Sequence, residues 1–347
     1  MRDLGGSALT SSLGETQIST TPQTTRRGSS ISIRELTKLY PRSNSAAVDA
    51  VNLEIQPGEF VALVGPSGSG KTTLLKMINR IYEPTSGVIE INGVDVLTLP
   101  APELRRQIGY VIQQTGLFPH MTIEANISVV PDLLRWDKKR TKARVHELLT
   151  LVGLPFADYA HRYPTQLSGG EQQRVGLARA LAVEPRTMLM DEPFGALDAI
   201  TRRRLQDELI RIHQKISQTV VFVTHDVEEA LRLADKIAIL RDGKIIQYGT
   251  PLDIMQSPAS DFVADLMGAN DVLRRFSLIT AGDAMDTLPS AVDGVPQIPR
   301  SSLLRDVLGV MAESGAPYLV VTSDETGDPV GTLSFESIQR AAVQKKE

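Results

Sequence analysis

The stretch Gly65-Pro66-Ser67-Gly68-Ser69-Gly70-Lys71-Thr72 fits the phosphate-binding pattern G-x-x-x-x-G-K-[ST]. An apolar, β-branched run, Phe60–Val64, precedes it, and residues 73–78, which contain neither Gly nor Pro, follow it. These flanks predict a buried parallel strand and a helix, the context in which this pattern forms a P-loop. The sequence therefore predicts an α/β fold that binds a phosphate-bearing ligand.

The chemistry of such a loop assigns a role to each of its polar groups. Backbone N–H groups of the glycine-rich turn can face an anion, and the helix N-terminus adds positive potential. Lys71 is expected to reach the β- and γ-phosphates, and the Thr72 hydroxyl is expected to hold Mg²⁺. The predicted nucleotide-binding residues of this stretch are Gly65, Pro66, Ser67, Gly68, Ser69, Gly70, Lys71, Thr72 and Thr73.

Composition limits the other functions open to the chain. It has 347 residues, no cysteine and a net charge of −4, so disulfides, thiol catalysis and a global basic field are excluded. We find no run of eighteen apolar residues, and we therefore predict no membrane-spanning segment. Nucleic acid is not an expected partner.

The sequence divides into segments of different character. Residues 1–28 are rich in Ser, Thr and Gly and lack a secretory core, which predicts a disordered tail. Alternation at Val51, Leu53 and Ile55 predicts an antiparallel strand, and residues 122–163 are mostly of helical pattern. After a weakly periodic segment at 268–300, residues 303–339 predict the order helix, strand, turn, strand, helix.

A second predicted strand ends in two carboxylates. Met188, Leu189 and Met190 form an apolar run that leads into Asp191 and Glu192. Beside a P-loop, Asp191 is positioned to reach the Mg²⁺ shell, which leaves Glu192 to act as general base on a water molecule. The alternative interpretation is that these two carboxylates only cap the N-terminus of a helix that follows the strand.

Residues 167–174 read Leu-Ser-Gly-Gly-Glu-Gln-Gln-Arg, and a predicted helix follows them. Ser168, Gly169 and Gly170 at a helix start form a second anion site by the same reasoning. Two such sites on one chain indicate either two ligands or one ligand shared between two chains.

These motifs, in this order, resemble those of the ATP-binding-cassette (ABC) ATPases over residues 31–265, and residues 167–171 resemble that family's signature motif. The resemblance implies that Tyr40 stacks on adenine and that Gln113 reaches Mg²⁺ and senses the permease. It further implies that Asp198 lies at a dimer seam and that His225 contacts the γ-phosphate, although such a histidine alone is more often a surface residue. Glu171 stands where the commonest form of the signature has Gln.

The fold implied is an ABC-type nucleotide-binding domain with an antiparallel β subdomain and a helical subdomain, followed by a small α+β segment. We expect a disordered tail at 1–28, the ATPase domain at 29–267, a linker or degenerate unit at 268–300, and the small segment at 301–347. Residues 303–339 resemble one copy of a cystathionine-β-synthase (CBS) motif. The predicted cofactors are ATP and Mg²⁺.

Residues 111–123 and 131–136 resemble the importer ATPases for quaternary-amine osmoprotectants such as glycine betaine, carnitine and choline. This implies a homodimer on the cytoplasmic face of the membrane, bound to permease subunits and served indirectly by an extracytoplasmic substrate-binding protein. The alternatives are a soluble non-transport ABC ATPase, an importer ATPase for another small solute, and a non-catalytic nucleotide sensor. The run Arg202-Arg203-Arg204 is read as a solvated first helical turn rather than as a binding patch.

Overall fold

Five parallel strands form the centre of the fold in the computed structural model of the chain. The structure describes residues 28–112, 116–195, 197–287 and 294–343. Residues 1–27 of the predicted N-terminal tail, and Gln113, lie outside the described residues.

The strands fall into three sheets. A six-stranded sheet has the order β10-β9-β3-β8-β7-β6, with only β10 antiparallel to its neighbour; an antiparallel sheet has the order β2-β1-β4-β5; and β11-β12-β13 lie in the tail. Their bounds are β1 Ile31–Lys38, β2 Val48–Ile55, β3 Phe60–Val64, β4 Ser86–Ile91, β5 Val94–Asp95, β6 Ile108–Val111, β7 Thr187–Asp191, β8 Thr219–Val223, β9 Lys236–Arg241, β10 Lys244–Gly249, β11 Gln297–Pro299, β12 Tyr318–Thr322 and β13 Pro329–Ser334.

Helices cover the parallel sheet and make up much of the region between β6 and β7. Their bounds are α1 Lys71–Ile78, α2 Ala101–Arg106, α3 Ile123–Leu133, α4 Lys138–Leu151, α5 Phe156–Tyr159, α6 Gly169–Ala180, α7 Ala199–Ile216, α8 Val227–Leu233, α9 Pro251–Gln256, α10 Asp261–Met267, α11 Val272–Phe276, α12 Ala281–Ala284, α13 Leu304–Ser314 and α14 Phe335–Val343. The predicted α/β class, with its antiparallel and helical parts, is confirmed. No helix in the described part of the chain is both long enough and apolar enough to span a bilayer.

Strand β3 shows why the P-loop is preceded by an unbroken apolar run. Phe60, Ala62 and Val64 pack into the core shared with the helical region, whereas Val61 and Leu63 face α1 and the antiparallel sheet. Because both faces of β3 are buried, each of its five side chains must be apolar. The strand is therefore held between two cores, and its carboxyl end has a fixed position.

The C-terminal tail has a third core of its own. Phe276, Ala281 and Ile298, which come from the segment 268–300, pack in one cluster with Leu304 and Leu319. Strand β11 pairs in parallel with β12, and β12 pairs antiparallel with β13. Side chains on both sides of residue 300 therefore share one core, to which α11, α12 and β11 contribute.

This shared core generates a prediction about Phe276, which is buried on α11. Replacing it by Ala is expected to destabilise the tail by about 3–5 kcal/mol, because a large buried side chain is lost. Leu273→Ala, at an exposed position on the same helix, is the matched control. Hydrogen exchange at β12 measures the effect, and equal protection in the two variants would contradict a core that extends across residue 300.

Candidate functional site

The P-loop takes a backbone path that requires glycine at position 70, just before Lys71. Gly70 caps α1 with φ of 103°, and a Cβ atom there would lie 2.3 Å from the Ala47 carbonyl oxygen. A side chain at Gly70 would therefore be strained in its backbone and would also collide with the main chain of a neighbouring loop. The glycine lets the loop close directly onto the start of α1.

Lys71 lies inside this loop and is largely buried. Its Nζ donates to the carbonyl oxygens of Gly65, at 2.7 Å, and Pro66, at 2.8 Å, and approaches Ser69 Oγ at 3.4 Å. Burial lowers the pKa of Lys71, while Glu192 and Asp191 act in the opposite direction. The ammonium group is thus held at the centre of the loop, where it can exchange carbonyl partners for phosphate oxygens.

Thr72 connects the P-loop to strand β7. Its Oγ1 donates to Asp191 Oδ1 at 2.9 Å. Asp191 is buried, and burial raises the pKa of its carboxyl group, although the hydrogen bond from Thr72 and the charges of Lys76 and Lys71 oppose that rise. Two oxygen ligands of the kind Mg²⁺ prefers therefore lie side by side at the end of the sheet.

Glu192 follows directly and has an uncommon backbone conformation. Its φ is 49°, in the left-handed region that a residue with a side chain rarely occupies. Its N–H donates to the Val223 carbonyl at 3.0 Å, and its own carbonyl accepts from Gln173 Nε2 at 3.2 Å. These contacts turn the chain sharply after β7 and hold Glu192 at the mouth of the site.

His225 lies beside Glu192, just past β8. Its Nδ1 is 3.4 Å from Glu192 Oε1, and two thirds of its side chain is exposed. Parallel pairing of β3, β8 and β7 places their carboxyl ends at one edge of the sheet. That edge brings the P-loop, the carboxylates and this histidine together.

Tyr40 lies beside the first turn of α1, which follows the loop. Its hydroxyl is 3.5 Å from Thr73 Oγ1, and its ring meets Tyr82 edge to face at 5.9 Å. A half-exposed aromatic ring beside α1 offers a face on which a base can stack.

Ser168, Gly169 and Gly170 begin α6. Ser168 forms a reciprocal cap with Glu171: its Oγ donates to Glu171 Oε2 at 2.8 Å and accepts from the Glu171 N–H. The Tyr159 hydroxyl also donates to Glu171 Oε1 at 2.7 Å, and this hydrogen bond is the main cause of the lowered pKa of the Glu171 carboxyl group. Glu171 therefore holds the side chain of Ser168 in place. Ser168 and Gly169 are exposed at the surface.

Asp198 caps α7 and is exposed. Its Oδ1 accepts from the N–H groups of Ile200 and Thr201, and the bond from Thr201 is the first cause of its lowered pKa. The structure thus places Asp198 at the surface, at the start of the helix that follows the carboxylate strand.

Sequence reasoning missed Gln173, which supports Glu192 from α6. It is buried and lies four residues before Leu177, on the apolar face of that helix. A polar residue in an apolar stripe was the available signal, but its partner could not be read from the sequence, because Glu192 is nineteen residues away.

The sequence is similar to proteins of one family. Residues 48–195 match the profile of the ABC transporter family. The osmoprotectant import ATP-binding protein OsmV of Salmonella typhimurium is 44% identical over 90% of this chain and 81% of its own length. The glycine betaine uptake system ATP-binding protein YehX of Escherichia coli is 46% identical over 84% of this chain and 94% of its own.

Two further proteins show the extent of the similarity. A sulfate/thiosulfate import ATP-binding protein of Shewanella oneidensis is 49% identical, but the match covers 69% of this chain. The solved dimeric structure of the ATP-binding cassette MJ0796, in a post-hydrolysis state bound to ADP and Pi, has a TM-score of 0.60 and 35% identity. It covers 64% of this chain and 98% of that one.

The position of Lys71 leads to a prediction about binding. Lys71→Ala removes the one ammonium group held inside the loop, and hydrogen bonds to charged groups contribute about 1.5–3 kcal/mol. ATP affinity is therefore expected to fall roughly ten- to hundredfold in calorimetry. Lys142→Ala is the control, because that side chain is exposed on α4, outside the P-loop and the carboxylate strand. Equal affinity of the two variants for ATP would contradict the site.

Proposed function

The chain belongs to the ABC transporter ATP-binding proteins and hydrolyses ATP, and we propose that it powers the import of quaternary-amine osmoprotectants such as glycine betaine, carnitine or choline. One observation supports the hydrolytic role above the others. The pairs Thr72–Asp191 and Glu192–His225 lie at the same sheet edge as the P-loop.

The residues at this edge suit a magnesium nucleotide. Thr72 and Asp191 would hold Mg²⁺, together with Gln113 as the family resemblance implies, because this ion takes few protein oxygens and completes its shell with phosphates and water. No cluster of three or more His, Asp or Glu side chains among the described residues forms a metal cage. When bound, Mg²⁺ would neutralise charge on the β- and γ-phosphates.

The chain's own residues supply the remaining chemistry. The P-loop backbone and Lys71 bind the phosphates, and Tyr40 stacks on the adenine. Glu192 accepts a proton from the attacking water, and the αL turn keeps its carboxylate at the mouth of the site. His225, next to Glu192, contacts the γ-phosphate.

We further propose that two chains meet head to tail. Each ATP then lies between the P-loop, Asp191 and Gln113 of one chain and residues 168–170 of the other, with Asp198 at the seam. Ser168 and Gly169 are exposed at the start of α6, where N–H groups and the helix dipole attract an anion. The dimeric structure of the similar cassette MJ0796 supports the pairing of two such chains.

The transporter around this dimer would contain integral permease subunits, and an extracytoplasmic binding protein would deliver the solute. In that assembly the chain is peripheral, on the cytoplasmic face of the membrane. We propose no nucleic-acid partner, since the net charge is −4.

The extent of the sequence similarity favours quaternary amines over another solute. The match to OsmV covers 90% of this chain, whereas the match to the sulfate/thiosulfate protein covers 69%. The cassette and the residues before it make up less than 90% of the chain. The match to OsmV therefore extends beyond the cassette into part of the C-terminal tail.

Uptake measurements test this assignment. A strain that lacks the gene is complemented with the wild-type chain, and its uptake of labelled glycine betaine, carnitine, choline, proline and sulfate is compared. Restored uptake of a quaternary amine is the expected result. Restored uptake of sulfate alone would contradict the assignment.

The role of Glu192 gives a prediction for the dimer. Glu192→Gln removes the base but leaves Thr72 and Asp191 in place, so ATP should bind and hold two chains together without turnover. Gel filtration with ATP should show a stable dimer. A variant that stays monomeric and hydrolyses ATP at the wild-type rate would end the assignment of Glu192.

The tail is proposed to regulate transport. It contacts the cassette close to the site: Arg274 Nε on α11 lies 2.7 Å from Glu228 Oε1, in the first turn of the helix that follows His225. Leu252, on α9, packs against the tail core. Because this ion pair is partly exposed, salt screens it.

Deleting the chain after Gly268 is therefore expected to leave ATP hydrolysis largely intact and to change the salt dependence of transport. Proteoliposome assays across a salt series compare the full-length chain, the shortened chain and Arg274→Met. The three are expected to differ in their salt profiles. Parallel profiles would leave the tail a purely structural role.

A further inference from the structure

A network of polar side chains joins α7 to α8 behind the hydrolytic edge. Helix α7 begins just after Asp198, and α8 begins just after His225. The network contains Arg202 and Gln206 from α7, and Thr224, Asp226 and Glu229 from the loop and helix that follow β8.

Arg202 makes three contacts that span the two segments. Its guanidinium donates to the Leu197 carbonyl at 3.2 Å and to Asp226 Oδ2 at 3.3 Å. Its Nε lies 3.8 Å from Glu229 Oε1. The first residue of the run Arg202-Arg203-Arg204 is thus a bridge between elements, whereas Arg203 and Arg204 are exposed.

Glu229 supports the other side of the network. It is buried, and burial raises the pKa of its carboxyl group. Thr224 Oγ1 donates to Glu229 Oε2 at 2.7 Å, and Gln206 Nε2 approaches Oε1 at 3.4 Å. Thr224 Oγ1 also accepts from the Asp226 N–H at 3.0 Å.

The network therefore holds the residue on each side of His225. Thr224 is bound to Glu229, and Asp226 is bound to Arg202 and caps α8. The same arginine holds Leu197, the residue before Asp198. A shift of either loop would break contacts to a charged group in the partly buried network.

We propose that Arg202 and Glu229 are positioning residues for ATP hydrolysis. They hold the loop that ends at Asp198 and the loop that carries His225 in a fixed position relative to each other. The inference rests on the proposed hydrolytic role of this edge. Neither residue belongs to the P-loop or to the carboxylate strand, so both are expected to act on turnover through the two loops and to leave nucleotide binding to the P-loop.

Arg202→Met is the first test, with Arg203→Met as the control on the same helical turn. A small displacement of a catalytic group costs one to two orders of magnitude in rate, so kcat should fall about tenfold in Arg202→Met. The KM for ATP should stay within about twofold, because the P-loop is untouched. Arg202→Lys should recover only part of the rate, because an ammonium group is a point donor that cannot reproduce the planar fork.

Glu229→Gln provides the second arm and remains informative if Arg202→Met does not fold. Its kcat should also fall, and the double variant Arg202→Lys/Glu229→Gln should lose less than the product of the single losses, because both act through one network. Full activity in Arg202→Met, or in both Arg202→Lys and Glu229→Gln, would overturn the inference. A double variant whose loss of kcat equals the product of the two single losses would also overturn it.

Glu192→Gln, assayed in parallel, separates this inference from the function on which it rests. Active Glu192→Gln would contradict the proposed hydrolytic site itself. Inactive Glu192→Gln beside unaffected Arg202 and Glu229 variants would contradict only the positioning role.

Discussion

The hydrogen bond from Thr72 to the buried carboxylate of Asp191 joins the phosphate-binding loop to the strand that carries the acidic residues. It depends on parallel strands whose carboxyl ends are aligned, and those strands depend in turn on two apolar cores, one on each face of the sheet. Without that alignment, Lys71, Glu192 and His225 would be distant parts of the chain. The fold therefore acts mainly by bringing short motifs to one edge.

Much of this could be predicted from the sequence, since local patterns determine local structure. The strand, loop and helix at residues 60–78 and the strand before Asp191 occur where the pattern predicts them. The roles assigned to the site residues stay predictions, from Tyr40 and the P-loop to Asp191, Glu192 and His225.

Contacts between distant elements could not be predicted, because tertiary packing selects them. Gln173 reaches Glu192 from another helix, and Arg202 bridges two loops although its neighbours in the arginine run are exposed. The segment 268–300 has weak periodicity, yet Phe276 and Ile298 join the tail core. Its short elements bury only one or two residues each instead of a repeating stripe, so no periodic signal marks them.

The central claim is that the hydrolytic edge is completed by residues 168–170 of a second copy, and mixed dimers test it most directly. Lys71→Ala lacks the loop cation and Ser168→Arg blocks the second anion site, so each variant alone should be inactive. Mixed together, they should form heterodimers with one intact shared site and recover ATP hydrolysis. Normal hydrolysis by Ser168→Arg alone, or no recovery in the mixture, would contradict the account.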